Sequence, residues 1–440
     1  MIRIGSGAGF SGDRIDPAAD LAEHGALDYL AFECLAERTI ALAVRARMSD
    51  PDAGYDPLLE DRMLAVLPAC ARNGVKVISN MGAANPRGAA RAAARVAANL
   101  GLKHLRIAAV TGDDVLDAAR QGRLAIMDSD EPLPADPLSA NAYLGCEAIV
   151  AALAEGADVV LTGRVADPSL FLAPMVHEFG WALDDWERLG RGTAIGHLLE
   201  CAGQITGGYH ADPGFKDVAD LANLGFPIAG VSADGVAVIT KIPGTGGRVT
   251  LASCKEQLMY ELHDPTAYLT PDVTADFSTV AFTDAGFDRV SVIGGGGRAR
   301  PERLKVSVGF QDGFLGEGQL TYAGLGCAAR GRLALAIVEE RLRRHANALL
   351  ETRFDLIGVD SVLPGTEFGV EPPEVRARVA VRAATEDAAR AVCREVEALY
   401  TNGPAGGGGV RYSAAAIIGI APALAARDEA PFAIHWEGGQ

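Results

Sequence analysis

No G-x-x-x-x-G-K-[ST] string, no G-x-S-x-G and no C-x-x-C pair occurs in the 440 residues. These absences exclude, in turn, P-loop nucleotide hydrolases, the nucleophile elbow of α/β-hydrolases, and the common structural zinc and thiol–disulfide arrangements. Seven scattered cysteines, an odd number, suit a reducing, cytoplasmic setting better than a disulfide framework. Positive charge is also short. With 40 Lys and Arg against 57 Asp and Glu, the net charge of -17 would repel nucleic acid and anionic membrane surfaces, so neither is an expected partner. An anionic ligand would need local Arg side chains or backbone N–H groups. The longest uncharged stretch, 412–426, contains Gly419 and Pro422 and falls short of the roughly 20 residues that span a bilayer. No membrane insertion is expected, and the first residues lack the charged-then-apolar layout of a leader.

What is abundant is glycine, 52 residues, within a chain that is 49% hydrophobic. Such a length supports two or three domains with a sizeable core. From the N-terminus, short apolar runs alternate with amphipathic helical segments. Strands are expected at 2–4, 27–33, 75–79, 104–110 and 159–161, and helices at 35–48, 57–73, 87–100 and 141–155. Alternation of this kind specifies an α/β fold: a mostly parallel, Rossmann-like sheet with helices on both faces.

Polar residues gather where those strands end. The segment 5–14, Glu33, Asn80, 111–114 and 162–167 all follow strand carboxyl ends, the edge where open parallel sheets bind ligands. The first of these holds G-x-G-x-x-G at Gly7, Gly9 and Gly12, with Ser11 and Arg14, and Glu33 stands where a ribose-binding acid would. In a dinucleotide fold the helix opens inside the glycine motif, whereas Asp16-Pro17 starts a short helix after it. A phosphate or carboxylate cradle therefore ranks above dinucleotide binding.

Residues 158–213 organise the rest. The strand 159–161 runs into Thr162-Gly163-Arg164, and an arginine there can clamp a carboxylate or phosphate, or merely pair with Asp167 to fix the loop. The next helix carries His197, Glu200, Cys201 and Gln204 at helical spacing, followed by Gly207 and Gly208. His197 and Glu200 could transfer a proton; Cys201 as nucleophile ranks lower, since a thiolate needs a cationic setting. His177, Glu178, His197, Glu200, His210 and Asp212 lack metal-ligand spacing, so no metal is assigned.

Antiparallel signals take over past about Thr250. A D-G hairpin is expected over 304–322, a helix at 328–344, a strand at 379–382, a helix from Thr385 and an edge strand at 432–436. The soft boundary gives an α/β domain over 1–250 and an α+β, ferredoxin-like region over 251–440.

Long strings throughout the chain, among them GSGAGFSGDRIDP, DYLAFECLAERTIAL, VISNMGAANP, ADVVLTGRVADPSLFLAP, GHLLECAGQITGGYHADP and LKVSVGFQDGFLGEGQLTYAG, resemble the acyclic terpene utilisation (AtuA-type) family. The resemblance implies an association with breakdown of acyclic monoterpenoids through CoA thioesters, without supplying catalytic residues.

Acid–base chemistry of lyase, hydratase or hydrolase type on an acyl-CoA or small carboxylate is the leading expectation. His197, Glu200, Glu33 or Asp167 would move the proton, while Gly7, Gly9, Ser11, Gly12, Arg14, Asn80, Thr162, Gly163, Arg164, Gly207 and Gly208 would hold the ligand. A non-catalytic metabolite-binding or carboxylase-partner protein and an NAD(P)-dependent oxidoreductase are the alternatives. No cofactor is expected, with a divalent metal left open. A small-molecule substrate is the expected partner, and Ala- and Gly-rich helical faces favour a homo-oligomer.

Overall fold

Residues 29–32 send their side chains alternately into two apolar layers, Tyr29 and Ala31 into one and Leu30 and Phe32 into the other. The same split separates Ile78 from Val77, Ala108 from Ala109, and Val160 from Leu161. Strands apolar on both sides need cover on both faces. In the computed structural model, which describes residues 1–363 and 370–439, they form the centre of a ten-stranded sheet.

Its first elements are β1 (Ile2–Ala8), α1 (Asp16–His24), β2 (Tyr29–Phe32), α2 (Glu37–Ser49), α3 (Leu59–Asn73), β3 (Lys76–Ser79), α4 (Pro86–Asn99) and β4 (Arg106–Thr111). Strand order runs Ala281–Asp284, Val290–Ile293, Ala237–Lys241, Pro227–Val231, β1, β2, β3, Val159–Thr162, β4, Ala433–Gly438. The central pairings from β1 to β4 are parallel. Every pairing outside them is antiparallel. The sheet is thus mixed, and the expected parallel character is confined to its five central strands. Residues of α1, α3 and α4 pack in one layer; those of Glu147–Ala154, Ser169–Phe179 and Trp186–Leu199 pack in the other.

Three local expectations are corrected. Asn141 lies on the strand Ser139–Ala142, which pairs with 306–309, and the helix begins only at Glu147. The histidine-bearing helix ends at Leu199, so Glu200 is its cap and Cys201 and Gln204 fall in a following turn. The D-G pair makes no hairpin: Arg303–Ala323 is one strand, in which Gly313 takes a φ of +82° without reversing the chain.

The chain divides into two compact units, Met1–Gly309 with Ile420–Gln440, and Phe310–Gly419. The division does not fall near Thr250, and the final strand Ala433–Gly438 belongs with the large sheet, pairing with β4. Within the second unit the order is strand, helix (Cys327–Leu342), strands Leu349–Ile357 and Glu374–Ala383, helix (Glu386–Glu397), strand. Leu320, Tyr322, Val338, Val379 and Val392 fill its core. No described helix is long and apolar enough to cross a membrane.

Candidate functional site

The parallel strands deliver Glu33, Asn80 and Arg164 from adjacent carboxyl ends. Asn80 ties two of the loops together: its Oδ1 accepts from the Cys34 amide at 2.7 Å, and its Nδ2 donates to Glu33 Oε1 at 3.0 Å. The Leu35 amide donates to the same oxygen at 2.7 Å. Arg164, 1% exposed, donates through its backbone N–H to Asp113 Oδ2 at 2.9 Å and through its guanidinium to Asp167 Oδ1 at 2.6 Å and to the Leu35 carbonyl. The guanidinium also lies 4.2 Å from the centre of the Tyr143 ring. With these partners it is held inside the protein in the arrangement of the loop-fixing pair with Asp167, while its Nε is buried without a hydrogen-bond partner. Gly163 is required beside it, because a Cβ would sit 2.3 Å from Asp113 Oδ1.

His197 and Glu200 meet, with Nδ1 2.9 Å from Oε1. The other ring nitrogen lies 3.2 Å from the Leu258 carbonyl, the ring packs against the stacked pair Tyr268 and Phe277, and the residue is 1% exposed. A nitrogen beside a carbonyl must donate, so the pair shares one further proton between Nδ1 and the carboxyl. Both ring nitrogens are thereby engaged inside the protein. Glu200 Oε2, by contrast, is buried without a partner.

Burial pushes the Glu33 carboxyl up, against the lowering pull of Arg164 and the hydrogen bonds from Leu35 and Asn80, and Glu200 adds a further rise. Asp167 is pushed well up, by burial and by Glu33, Glu200 and Glu37, although Arg164 opposes this. Its side chain is still 33% exposed, which makes it the cluster's contact with solvent. Burial also raises Glu200, with His197 pulling the other way. For His197 burial acts downward, but the Glu200 carboxylate and the Leu258 carbonyl outweigh it. One arginine thus stands among acids whose ionised forms are disfavoured by burial and by one another.

Burial and then Glu200 raise the Cys201 thiol, which disfavours the thiolate that a nucleophile would need. Asp113 is pushed up to about 6 by burial, which outweighs the hydrogen bonds from Arg164 N–H and Asn141. For Glu37 burial acts upward, yet the Tyr143 hydroxyl and the Arg164 and Lys305 charges hold it at about 2.

The glycine turn reaches this region as backbone and not as an open cradle. A Cβ on Gly9 would come within 2.6 Å of the Cys201 backbone, so the turn abuts the end of the histidine helix. The Gly9 amide is taken by Asp13 Oδ2 at 2.9 Å, and fully buried Arg62 donates to the Ser11 carbonyl at 2.7 Å. Arg14 donates to the carbonyls of Leu221 and Ala222, which commits it to a loop and not to an anion. Gly7 packs on Phe32, Gly12 on Phe10, Gly207 on Val218 and Gly208 on Leu224, while Thr162 bonds its own neighbour's carbonyl. None of these groups is set up as the expected ligand cradle.

Asn141, Tyr143, Glu37 and Lys305 were missed as partners in the site, whereas Asp113 lies in the segment 111–114 read as following a strand end. Beside the cluster, Leu35 also lines a cavity of about 650 Å³ with Ser11, Leu42, Ala43, Tyr55 and Met81. Among the described residues, no three His, Cys, Asp or Glu side chains are grouped to hold a metal ion.

The fold and site define an α/β protein with a buried carboxylate–guanidinium cluster at the carboxyl edge of its parallel strands. The chain belongs to the acyclic terpene utilisation family AtuA, whose model matches residues 2–436. Comparison with curated proteins found no match. Among solved structures, a homoserine dehydrogenase from Thiobacillus denitrificans is 10% identical over 90% of this chain and 83% of its own, with a TM-score of 0.16, and that likeness carries no argument.

Proposed function

We propose that this family member, related to acyclic terpene utilisation, catalyses acid–base chemistry of lyase, hydratase or hydrolase type on an acyl-CoA or small carboxylate. The observation that carries the proposal is the buried cluster in which Arg164 donates to Asp167, Asn80 to Glu33, and His197 meets Glu200; burial raises the proton affinity of all three acids. Acids so placed hold their protons to higher pH than free carboxyls do, which suits one as general acid beside another as general base. In a hydratase cycle, an ionised carboxylate takes the proton α to the substrate carbonyl. Its protonated neighbour gives a proton to the departing β-hydroxyl, so that an alkene and water form, and the reverse steps add water.

Asp167, the most exposed of the three, meets the substrate; Glu200 follows through its free Oε2, and Glu33 exchanges protons from behind. His197 holds Glu200 and acts through it. The apolar wall of the 650 Å³ cavity suits an acyl chain. A small molecule is the partner in this account and a homo-oligomer the working form. The strand–helix–strand–strand–helix–strand order of 310–419 supports a ferredoxin-like assignment for that unit.

The test is turnover of a panel of acyl-CoA thioesters and short carboxylates by Glu200→Gln and Asp167→Asn. Each should lose at least about 100-fold in kcat while keeping its far-UV circular dichroism. Unchanged turnover in both variants would overturn the assignment.

A further inference from the structure

Three arginines converge in a chain that is short of positive charge. Arg47, near the end of α2, and Arg87 and Arg91, four apart on α4, line a cavity of about 350 Å³ with Asn85, Pro86 and Thr111. Asp52 is 3.6 Å from Arg91 and 90% exposed, a weak partner. Arg47 donates to the Ala84 carbonyl at 2.5 Å, which holds it over the start of α4. Like charges at i and i+4 repel, so Arg87 and Arg91 gain when an anion sits between them. The positive end of the α4 dipole, capped by Asn85, favours an anion at the same place.

A second observation lies deeper. A neighbouring cavity of about 340 Å³ shares Arg47, Pro86 and Thr111 with the first and reaches Asp113 and Asn141. Asn141 is 3% exposed and donates through Nδ2 to Asp113 Oδ2 at 2.9 Å. That carboxylate fixes which way the amide faces. Asn141 Oδ1 is buried with no hydrogen-bond partner. A buried carbonyl oxygen without a donor is costly, and a ligand carrying one removes the cost.

We propose that this cleft between α2 and α4 binds a phosphorylated small molecule, with its phosphate on Arg47, Arg87 and Arg91 and a hydroxyl or amide of its body donating to Asn141 Oδ1. Arginine suits the charged end because its planar donors match phosphate oxygens. The inner cavity leaves room for a short polar body. Glu33, Asp167 and Glu200 do not line the cleft, so the inference stands apart from the reaction proposed above.

Isothermal titration of the full chain with ribose 5-phosphate, inorganic phosphate and ribose tests it. Ribose 5-phosphate should bind more tightly than inorganic phosphate, ribose should not bind, and added salt should weaken both phosphates. The exposed double substitution Arg87→Ala/Arg91→Ala should lower affinity for both phosphates by at least about tenfold. Asn141→Ala should lower affinity for the ester about fivefold and leave inorganic phosphate unchanged. Absence of ribose 5-phosphate binding at millimolar concentration, or unaltered affinity in the double variant, would overturn the site. Inorganic phosphate binding as tightly as the ester would overturn the organic ligand.

Discussion

Glu200 is held by one oxygen and free at the other, and that asymmetry separates a structural carboxylate from a working one. The His197 ring fixes Oε1 and has no open face of its own, so its effect on chemistry runs through its neighbour. Arg164 has the complementary task of keeping several acids close without unfolding the loop. Arg164→Met should leave Glu33 and Asp167 without their cation and destabilise the protein by about 3–5 kcal/mol in urea unfolding at pH 7; a loss below about 1 kcal/mol would contradict that role. Asp113 gives a pH prediction of definite sign. Its carboxyl rises from 3.8 to about 6 on folding, so the stability it contributes is full below the lower value and is lost as pH rises through the upper one. Asp113→Asn should therefore remove a fall of roughly 2–3 kcal/mol between about pH 4 and pH 7. The check is a urea midpoint series over that range, and an unchanged slope would refute the assignment.

At the scale of elements, strands and their carboxyl ends were legible because short apolar runs end at polar residues, as at Glu33, Asn80 and Thr162. Partnerships across the chain were not. Asp113 meets Asn141 and Arg164 through pairings set by sheet order, which local pattern does not encode. The helix carrying His197 was read one turn too long, because Glu200 and Cys201 continue its spacing while its backbone ends at Leu199. That helix depends on close approach elsewhere: a Cβ on Gly190 would meet the Gly296 carbonyl at 1.8 Å. Gly190→Ala should push the helix off the strand Gly296–Arg298 and cost at least about 2 kcal/mol by thermal unfolding. A neutral outcome would show that the contact is slack. The Gly9 turn was read as a phosphate or carboxylate cradle, and the residues that engage it, Asp13 and Arg62, look ordinary in sequence.

For the whole molecule, alternation of strands and helices was enough to anticipate an α/β architecture and the edge on which the site lies. It did not reveal the antiparallel flanks of the large sheet, nor that the C-terminal strand Ala433–Gly438 joins that sheet beside β4, because strand order over long separations leaves little trace in composition. Against an overall charge of -17, Arg164 lies inside the protein, and Arg47, Arg87 and Arg91 line one cleft. The raised proton affinity of Glu33, Asp167 and Glu200 is read out by infrared spectroscopy of the carboxyl C=O band. A protonated-carboxyl band at pH 7 that weakens in Glu200→Gln and in Asp167→Asn is expected; a spectrum with no such band, or one that neither substitution alters, rules out a proton-holding cluster.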